Sequence, residues 1–335
     1  MRELAQQLLE TSGEGVPAQV LGRSVLHVGR GGDDSPVLLV ASECRKELPG
    51  GFEGEELRLD DGAVALVCAH TAENAAALRR HFPWCAPRVP GGACPTAALG
   101  SWEKTASRLA AAHDAGLVPV FPSVFPGGLR AADAAVFAVF AAGFRDGFAV
   151  DGGRVSTASA LEKALAGGAG IVTLAPGGEG GGEGEEYAGK CFVLDSRDAV
   201  SVGRGEARRC AALFGPLVEA AAAAKAKRSG FDLGVALDGE APQAAAHVYV
   251  LRELHRRGID CAAAFPRYPD SPDGLRNAFR LHAEIAKTFG DGKPALPLAG
   301  IPPELFGGLR RECGGWFHLE PDAAAWEQFG AYFPA

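Results

Sequence analysis

Several signatures are missing from these 335 residues, and each absence closes a class of function. No stretch of about 18 to 20 uninterrupted apolar residues occurs, so no spanning helix is expected. The opening segment MRELAQQLLETSGEG is amphipathic and carries acids, and it lacks the apolar core of a secretory signal. Clustered basic residues are missing too. Lys and Arg number 33 against 41 Asp and Glu, a formal charge of −8, and phosphate binding needs the opposite balance, so nucleic acid is not an expected partner. The eight cysteines form no CxxC pair, which removes zinc ribbons and thioredoxin-type redox sites. They read as buried thiols in a reducing cytoplasm. There is no GxSxG and no HExxH. Gly29-Arg30-Gly31-Gly32 follows a strand-like run, but its spacing is wrong for a dinucleotide loop. Serine hydrolase, zincin and nicotinamide chemistry are therefore unsupported.

What is present is a globular chain. Apolar residues make up 47% and charged residues 22%, enough for a sizeable core. Short apolar runs at 24–28, 37–40 and 64–67 predict strands of a small N-terminal α/β module. TAENAAALRRHF predicts a helix capped by Thr71. Prolines 83, 87, 90 and 95 then punctuate the chain, which places a module and linker over 1–95 and a second domain over 96–335.

In the second domain, eight apolar runs alternate with helical segments. The runs fall at 97–102, 118–122, 146–151, 170–175, 232–238, 260–266, 295–299 and 315–319. Helices are expected at 130–143, at 156–166 (opened by Ser159 with Glu162), and at 243–257, closed by Gly258. Runs that are apolar throughout belong in a parallel sheet covered on both faces. Eight of them predict a TIM-like (β/α)8 barrel with an N-terminal α/β extension, with a doubly wound open sheet as the alternative. The stretch 176–231 reads as an insertion. It holds the Gly/Glu-rich tract PGGEGGGEGEE, a solvated loop rather than a phosphate cradle, and a long alanine-rich helix at about 205–228.

A barrel places chemistry at the C-terminal ends of its strands. Those ends offer Asp151-Gly152-Gly153-Arg154, Asp238-Gly239-Glu240, Arg267, and His318 with Glu320; the ends at Ala175-Pro176 and Ala299-Gly300-Ile301-Pro302 are bare. Asp151, Asp238, Glu240, His247 and His318 could form an oxygen and nitrogen metal site. Arg267 could grip a carboxylate in a bidentate pair. Each has a structural reading beside the functional one. Asp151 and Asp238 could be helix N-caps, His318 a satisfied core histidine, His247 a solvent-facing residue, and His282 a structural one.

In order, TAENAAALRRHFPWCAP, VPVFPS, DAAVFAVFAAGFRDGFAVDGG, YAGKCFVLD, VALDGEAPQAAAHVYVLRELHRRGIDCAAAFPRY, FRLHAEIAKTFG and GGWFHLEPDAAAWEQ resemble the tagaturonate epimerase family. The resemblance implies a barrel, a divalent metal (zinc, nickel, cobalt or manganese), a sugar-acid substrate and epimerase activity. Carried over residue by residue, it implies Asp151, Asp238 and His247 as catalytic groups. It implies Asp238, His247 and His318 as metal ligands, and Arg267, His282 and Arg108 on the substrate. Four family polar motifs are replaced here, by Ala106-Ser107-Arg108, Gly153-Arg154, Ala175-Pro176 and the run from Ala299 to Pro303. Two expectations follow. One is a sugar-acid epimerase on a divergent site. The other is a non-catalytic homologue, a pseudoenzyme, acting as a carbohydrate-binding or partner subunit. A further alternative is altered chemistry that uses the acids Glu240 and Glu320. Homo-oligomerisation is expected only because most oligomers are built from identical chains.

Overall fold

The computed structural model describes residues 17–30, 35–59, 62–91, 94–102, 104–125, 128–177, 184–228, 230–237, 243–290, 292–298, 301–312 and 317–333. The chain divides into two units. The first comprises Met1–Pro87, Trp102–Ala110 and Val124–Gly147; the second comprises Arg88–Ser101, Ala111–Ser123 and Phe148–Ala335.

The first unit is built on an antiparallel sheet of β1 (Gln19–Leu21), β2 (Ser24–Arg30), β3 (Pro36–Ser42), β4 (Glu55–Arg58) and β5 (Val64–Ala69), in the order β1-β2-β3-β5-β4. Alternation along β2 and β3 sends Leu26, Leu38 and Val40 to one face. There they meet Ala75 and Leu78 of α1 (Ala72–His81), and Val136, Phe137 and Phe140 of α3 (Ala131–Ala142). Thr71 caps α1 as expected, its hydroxyl accepting from the Asn74 amide at 3.2 Å. Asn74 is itself fully used: its Oδ1 accepts from Glu53 N–H, and its Nδ2 donates to the carbonyls of Glu53 and Ala69. A buried carboxylate, Asp133 on α3, is held between Arg79 at 2.9 Å and Arg130 at 2.6 Å.

The second unit is a closed parallel barrel. Its strands are β6 (Thr96–Ala98), β7 (Val118–Phe121), β8 (Ala149–Val155), β9 (Ile171–Leu174), β12 (Asp232–Ala236), β13 (Cys261–Phe265), β14 (Lys293–Pro297) and β15 (His318–Glu320). They lie in chain order, and β15 pairs with β6 to complete the ring. All eight expected runs supply a strand, and closure rules out the open-sheet alternative. The helices are α2 (Thr105–Asp114), which passes from one unit to the other, then α3, α4 (Ala158–Ala166), α5 (Arg204–Lys227), α6 (Gln243–Arg256), α7 (Pro272–Phe289), α8 (Pro303–Glu312), and the short α9 (Ala323–Glu327) and α10 (Phe329–Tyr332).

Within this unit the outward positions of the strands, among them Val172, Leu174, Leu233 and Val235, pack on α4 to α7 through Leu161, Phe214, Leu217, Val248, Leu251 and Ile285. Strands covered on both faces have no polar side to show, which is why they read as unbroken apolar runs. The expected insertion contains the hairpin β10 (Lys190–Val193) and β11 (Ala199–Val202), followed by α5, which serves as the barrel helix after β9. Most of the Gly/Glu tract, 178–183, lies outside the described residues. One local expectation is corrected. The helix thought to open on Ser159 and Glu162 is capped by Thr157, whose hydroxyl accepts from Ala160 N–H at 3.1 Å. Thr157 has the extended backbone of a cap residue and precedes the first helical residue, Ala158, which leaves Ser159 inside the first turn.

Candidate active site in the barrel

Inward positions of the barrel strands define the site. On β9 these are Ile171 and Thr173, and on β8 the first are Ala149 and Asp151. A regular strand would send Arg154, three residues after Asp151, to the opposite face. Instead Asp151 pairs with Ile171 while Arg154 pairs with Thr173, so three steps on β8 match two on β9. This is a bulge with one extra residue, and it brings Arg154 back to the inner face beside Asp151. The two glycines make it feasible. A Cβ on Gly152 would lie 2.8 Å from the Ala169 Cβ and 2.9 Å from the Val172 Cγ2, and Gly153 has φ +75°. The bulge is pinned by Gly153 N–H donating to the Asp151 Oδ1 at 2.8 Å.

Asp151 and Arg154 line a cavity of about 230 Å³ with Thr173, His318, Glu320 and the apolar Phe121, Pro122, Ile171 and Phe265. That is below the usual ~300 Å³ lower bound for drug-sized ligands and suits a small polar molecule. Glu320 ends β15, which its pairing with β14 and β6 swings to within electrostatic reach of β8. Burial pushes the Asp151 carboxyl up, against the pull of the Gly153 N–H and the Arg154 charge. Burial also raises Glu320, Arg154 opposes the rise, and the Asp151 charge adds to it. Two carboxyl groups that resist ionisation therefore flank one guanidinium.

His318 lies at the start of β15, and its Nδ1 is 2.6 Å from the Thr96 Oγ1 across the closing seam of the barrel. Burial, with the nearby Lys293 ammonium second, pushes its pKa down to about 3, so the ring is neutral. Lys293, at the start of β14, is buried and donates to the Cys94 carbonyl. Burial lowers its pKa to about 8, and Asp232 opposes the fall. A larger hollow of about 770 Å³ lies on the outside of this unit, along α7 and α8. It is lined by Arg280, Lys287 and Arg311 together with Asp198, Glu284 and Glu312. It has equal numbers of both charges and none of the perturbed groups of the barrel interior.

The model of the tagaturonate epimerase family matches residues 19–179. This stretch resembles tagaturonate epimerase. It runs from β1 past β9 and takes in Asp151, Arg154 and Thr173, but ends before His318 and Glu320. Two solved structures of the fructuronate-tagaturonate epimerase UxaE from Cohnella laeviribosi share the fold. The native one is 19% identical with a TM-score of 0.73, covering 97% of this chain and 76% of that one. The form with one glycerol is 19% identical with a TM-score of 0.72, covering 97% and 75%. No curated protein matches the chain in sequence.

The residues singled out by the tagaturonate epimerase resemblance are dispersed. Asp151 and His318 line the barrel cavity. Asp151 is a strand residue bonded to its own bulge rather than a helix N-cap. Asp238, with Glu240, lies outside the described residues. His247 is on α6 and His282 on α7, their Nδ1 atoms 3.1 Å apart in the helix layer outside the barrel. His247 is fully buried, not solvent-facing, and its Nε2 has no hydrogen-bond partner among the described residues. Arg267 is exposed; its backbone exchanges two bonds with the Gln243 side chain. Arg108 is on α2, in the first unit.

Arg154 and Glu320 were legible as strand-end residues but were given no partner. Thr173 and Thr96 were missed. Thr173 had one signal, the lone polar residue in the run IVTL.

A divalent metal is what the tagaturonate epimerases imply, through Asp238, His247 and His318. His318 faces the barrel cavity while His247 spends its Nδ1 on His282. Among the described residues no three His, Cys, Asp or Glu side chains are grouped so as to hold a metal ion. The described donors do not fit that site.

Proposed function

We propose that the chain is an epimerase of a small keto sugar acid of the tagaturonate and fructuronate class, working in the barrel cavity. One observation carries this reading: two half-buried carboxyls with raised pKa values, Asp151 and Glu320, share a small cavity with Arg154. In these substrates the inverted carbon is β to the ketone, and enolisation acidifies only the α carbon. Retro-aldol cleavage reaches it. A carboxylate takes the proton of the β-hydroxyl, the bond between the α and β carbons breaks, and an aldehyde and an enolate result. The aldehyde turns its other face, the bond re-forms, and the proton returns to the new alkoxide. Nothing is oxidised or reduced.

The carboxyl pair is suited to that traffic. Burial raises both, and the Asp151 charge adds to the cost of ionising Glu320, so Asp151 suits the role of base and Glu320 that of proton donor. Arg154 supplies the fixed positive charge for the enolate or the substrate carboxylate. The test is to incubate the protein with fructuronate or tagaturonate and follow interconversion by NMR. Turnover that is lost in both Asp151→Asn and Glu320→Gln is the expected result. The second reading, a carbohydrate-binding homologue, is favoured by the dispersal of Arg267, His247 and His282 away from the cavity. Calorimetric binding of the sugar acid with no interconversion would establish it instead.

A further inference from the structure

The acid–base reading leaves His318, a ring on the cavity wall, unused. Its neighbours decide what it can do. The Thr96 hydroxyl is buried, and its one described hydrogen-bond partner is the His318 Nδ1. A hydroxyl has one proton to give. If Nδ1 carried the ring proton and donated it, the threonine proton would be buried with no described acceptor. An unmet buried donor costs more than a made bond returns. Counting donors therefore puts the Thr96 proton into this bond, makes Nδ1 the acceptor, and leaves the ring proton on Nε2.

The other side of the ring opens on the cavity. His318 is among the lining residues, edge-to-face with Phe265 at 5.3 Å. Its Nε2 is not one of the buried atoms left without a partner, whereas the Nε2 of His247 is. The charged groups around the ring are Lys293 on β14, Glu320 on its own strand, and Asp151 and Arg154 on β8. Burial and the Lys293 charge both oppose a second proton.

We infer that His318 is a neutral hydrogen-bond donor, presenting Nε2–H to the substrate oxygen on which negative charge develops, and that Thr96 is the positioning residue that fixes its tautomer. The inference rests on the sugar-acid reading of the cavity and assigns its oxyanion donor. A neutral imidazole suits this task, because it stabilises charge without transferring its own proton to the enolate.

The experiment is nitrogen NMR of protein labelled at histidine, with kinetics on fructuronate. In the wild-type protein the ring of His318 is expected as the neutral Nε2–H form at neutral pH. In Thr96→Val that preference relaxes toward a mixture, and kcat falls roughly tenfold. His318→Leu loses about 10²-fold in kcat with little change in KM, the scale of one oxyanion donor, and His318→Gln, which keeps an N–H, recovers part of it. A wild-type ring protonated on Nδ1, or on both nitrogens, overturns the inference without any variant. So does equal activity of the leucine and glutamine variants. An Nε2–H ring in a protein that does not interconvert sugar acids upholds the tautomer and overturns the sugar-acid reading.

Discussion

His318 and the His247–His282 pair are all hidden from bulk water, and burial pushes all three pKa values down, yet they belong to two different interiors. Inside the barrel, His318 spends one nitrogen on Thr96 and turns the other to a cavity that also holds two carboxyls and a guanidinium. In the helix layer, His247 and His282 spend their Nδ1 atoms on each other. The remaining nitrogen of His247 faces Gly292, where an added Cβ would lie 3.2 Å from it. Depth and a displaced pKa are thus common to both interiors. Access to a cavity, and the company kept there, sets His318 apart.

The largest expected effect tests the barrel side. Asp151→Asn should reduce turnover by about 10²–10⁴-fold, the range for loss of an acid–base group. The same variant should melt higher at pH 7. The raised carboxyl pKa means the folded state binds its proton more tightly than the unfolded chain, so stability is lost as pH rises from the unfolded value through the folded one. Asparagine keeps the acceptor for Gly153 N–H and removes that loss. The gain should shrink on acidification, as wild-type Asp151 becomes protonated too.

The helix-layer side should respond in the opposite way. His247→Ala is expected to cost about 2–4 kcal/mol of stability through the void it leaves, with turnover per folded molecule unchanged. Lowered histidine pKa values give stability that is present above the unfolded value and fades as pH falls through it. The drop in melting temperature between pH 7 and 5 should therefore be smaller in the double variant His247→Leu/His282→Leu. His70, pushed down to about 4 by burial, and His318 retain their share of the acid sensitivity.

Gly153→Ala sharpens the barrel side at lower amplitude. A left-handed backbone with a Cβ costs about 1–2 kcal/mol, and the Ser123 Oγ would lie 3.2 Å from it. Turnover should fall more than stability, because the bulge sets the spacing of Asp151 and Arg154. The smallest effect is expected from metals. Stripped protein given zinc, nickel, cobalt or manganese should show little shift in melting temperature and retain no stoichiometric ion. One tight ion lost in His247→Ala would join the two interiors and break the comparison.

Much of this architecture was legible because the barrel obeys period and composition. The run 118–122 has no polar residue, and VPVF is buried at every position. Thr71 before a helical pattern is a cap by chemistry alone. The site was half legible, for a reason that parity explains. Asp151 and Arg154 stand three apart, and no alternation rule puts them on one face; only the extra residue at Gly152-Gly153 does. Glu320 is distant in sequence from both, and its proximity comes from ring closure. His247 read as a residue early in the helix after the fifth strand, either a ligand or solvent-facing. One turn into α6 it is on the outer wall of the barrel, facing α7.

The seam between β15 and β6 has a consequence for how the molecule comes to exist. It consists of two residue pairs, His318 with Thr96 and Leu319 with Ala97, and the side-chain bond across it joins residues 222 apart. A ribosome makes the seven earlier barrel strands before the second partner of that bond emerges. Until then β6 and β14 are open edges with unpaired backbone groups, the form most exposed to wrong pairing. The contact that closes the last hoop of the barrel also sets His318 on the cavity wall, so the shape of the barrel and the lining of its cavity are completed together.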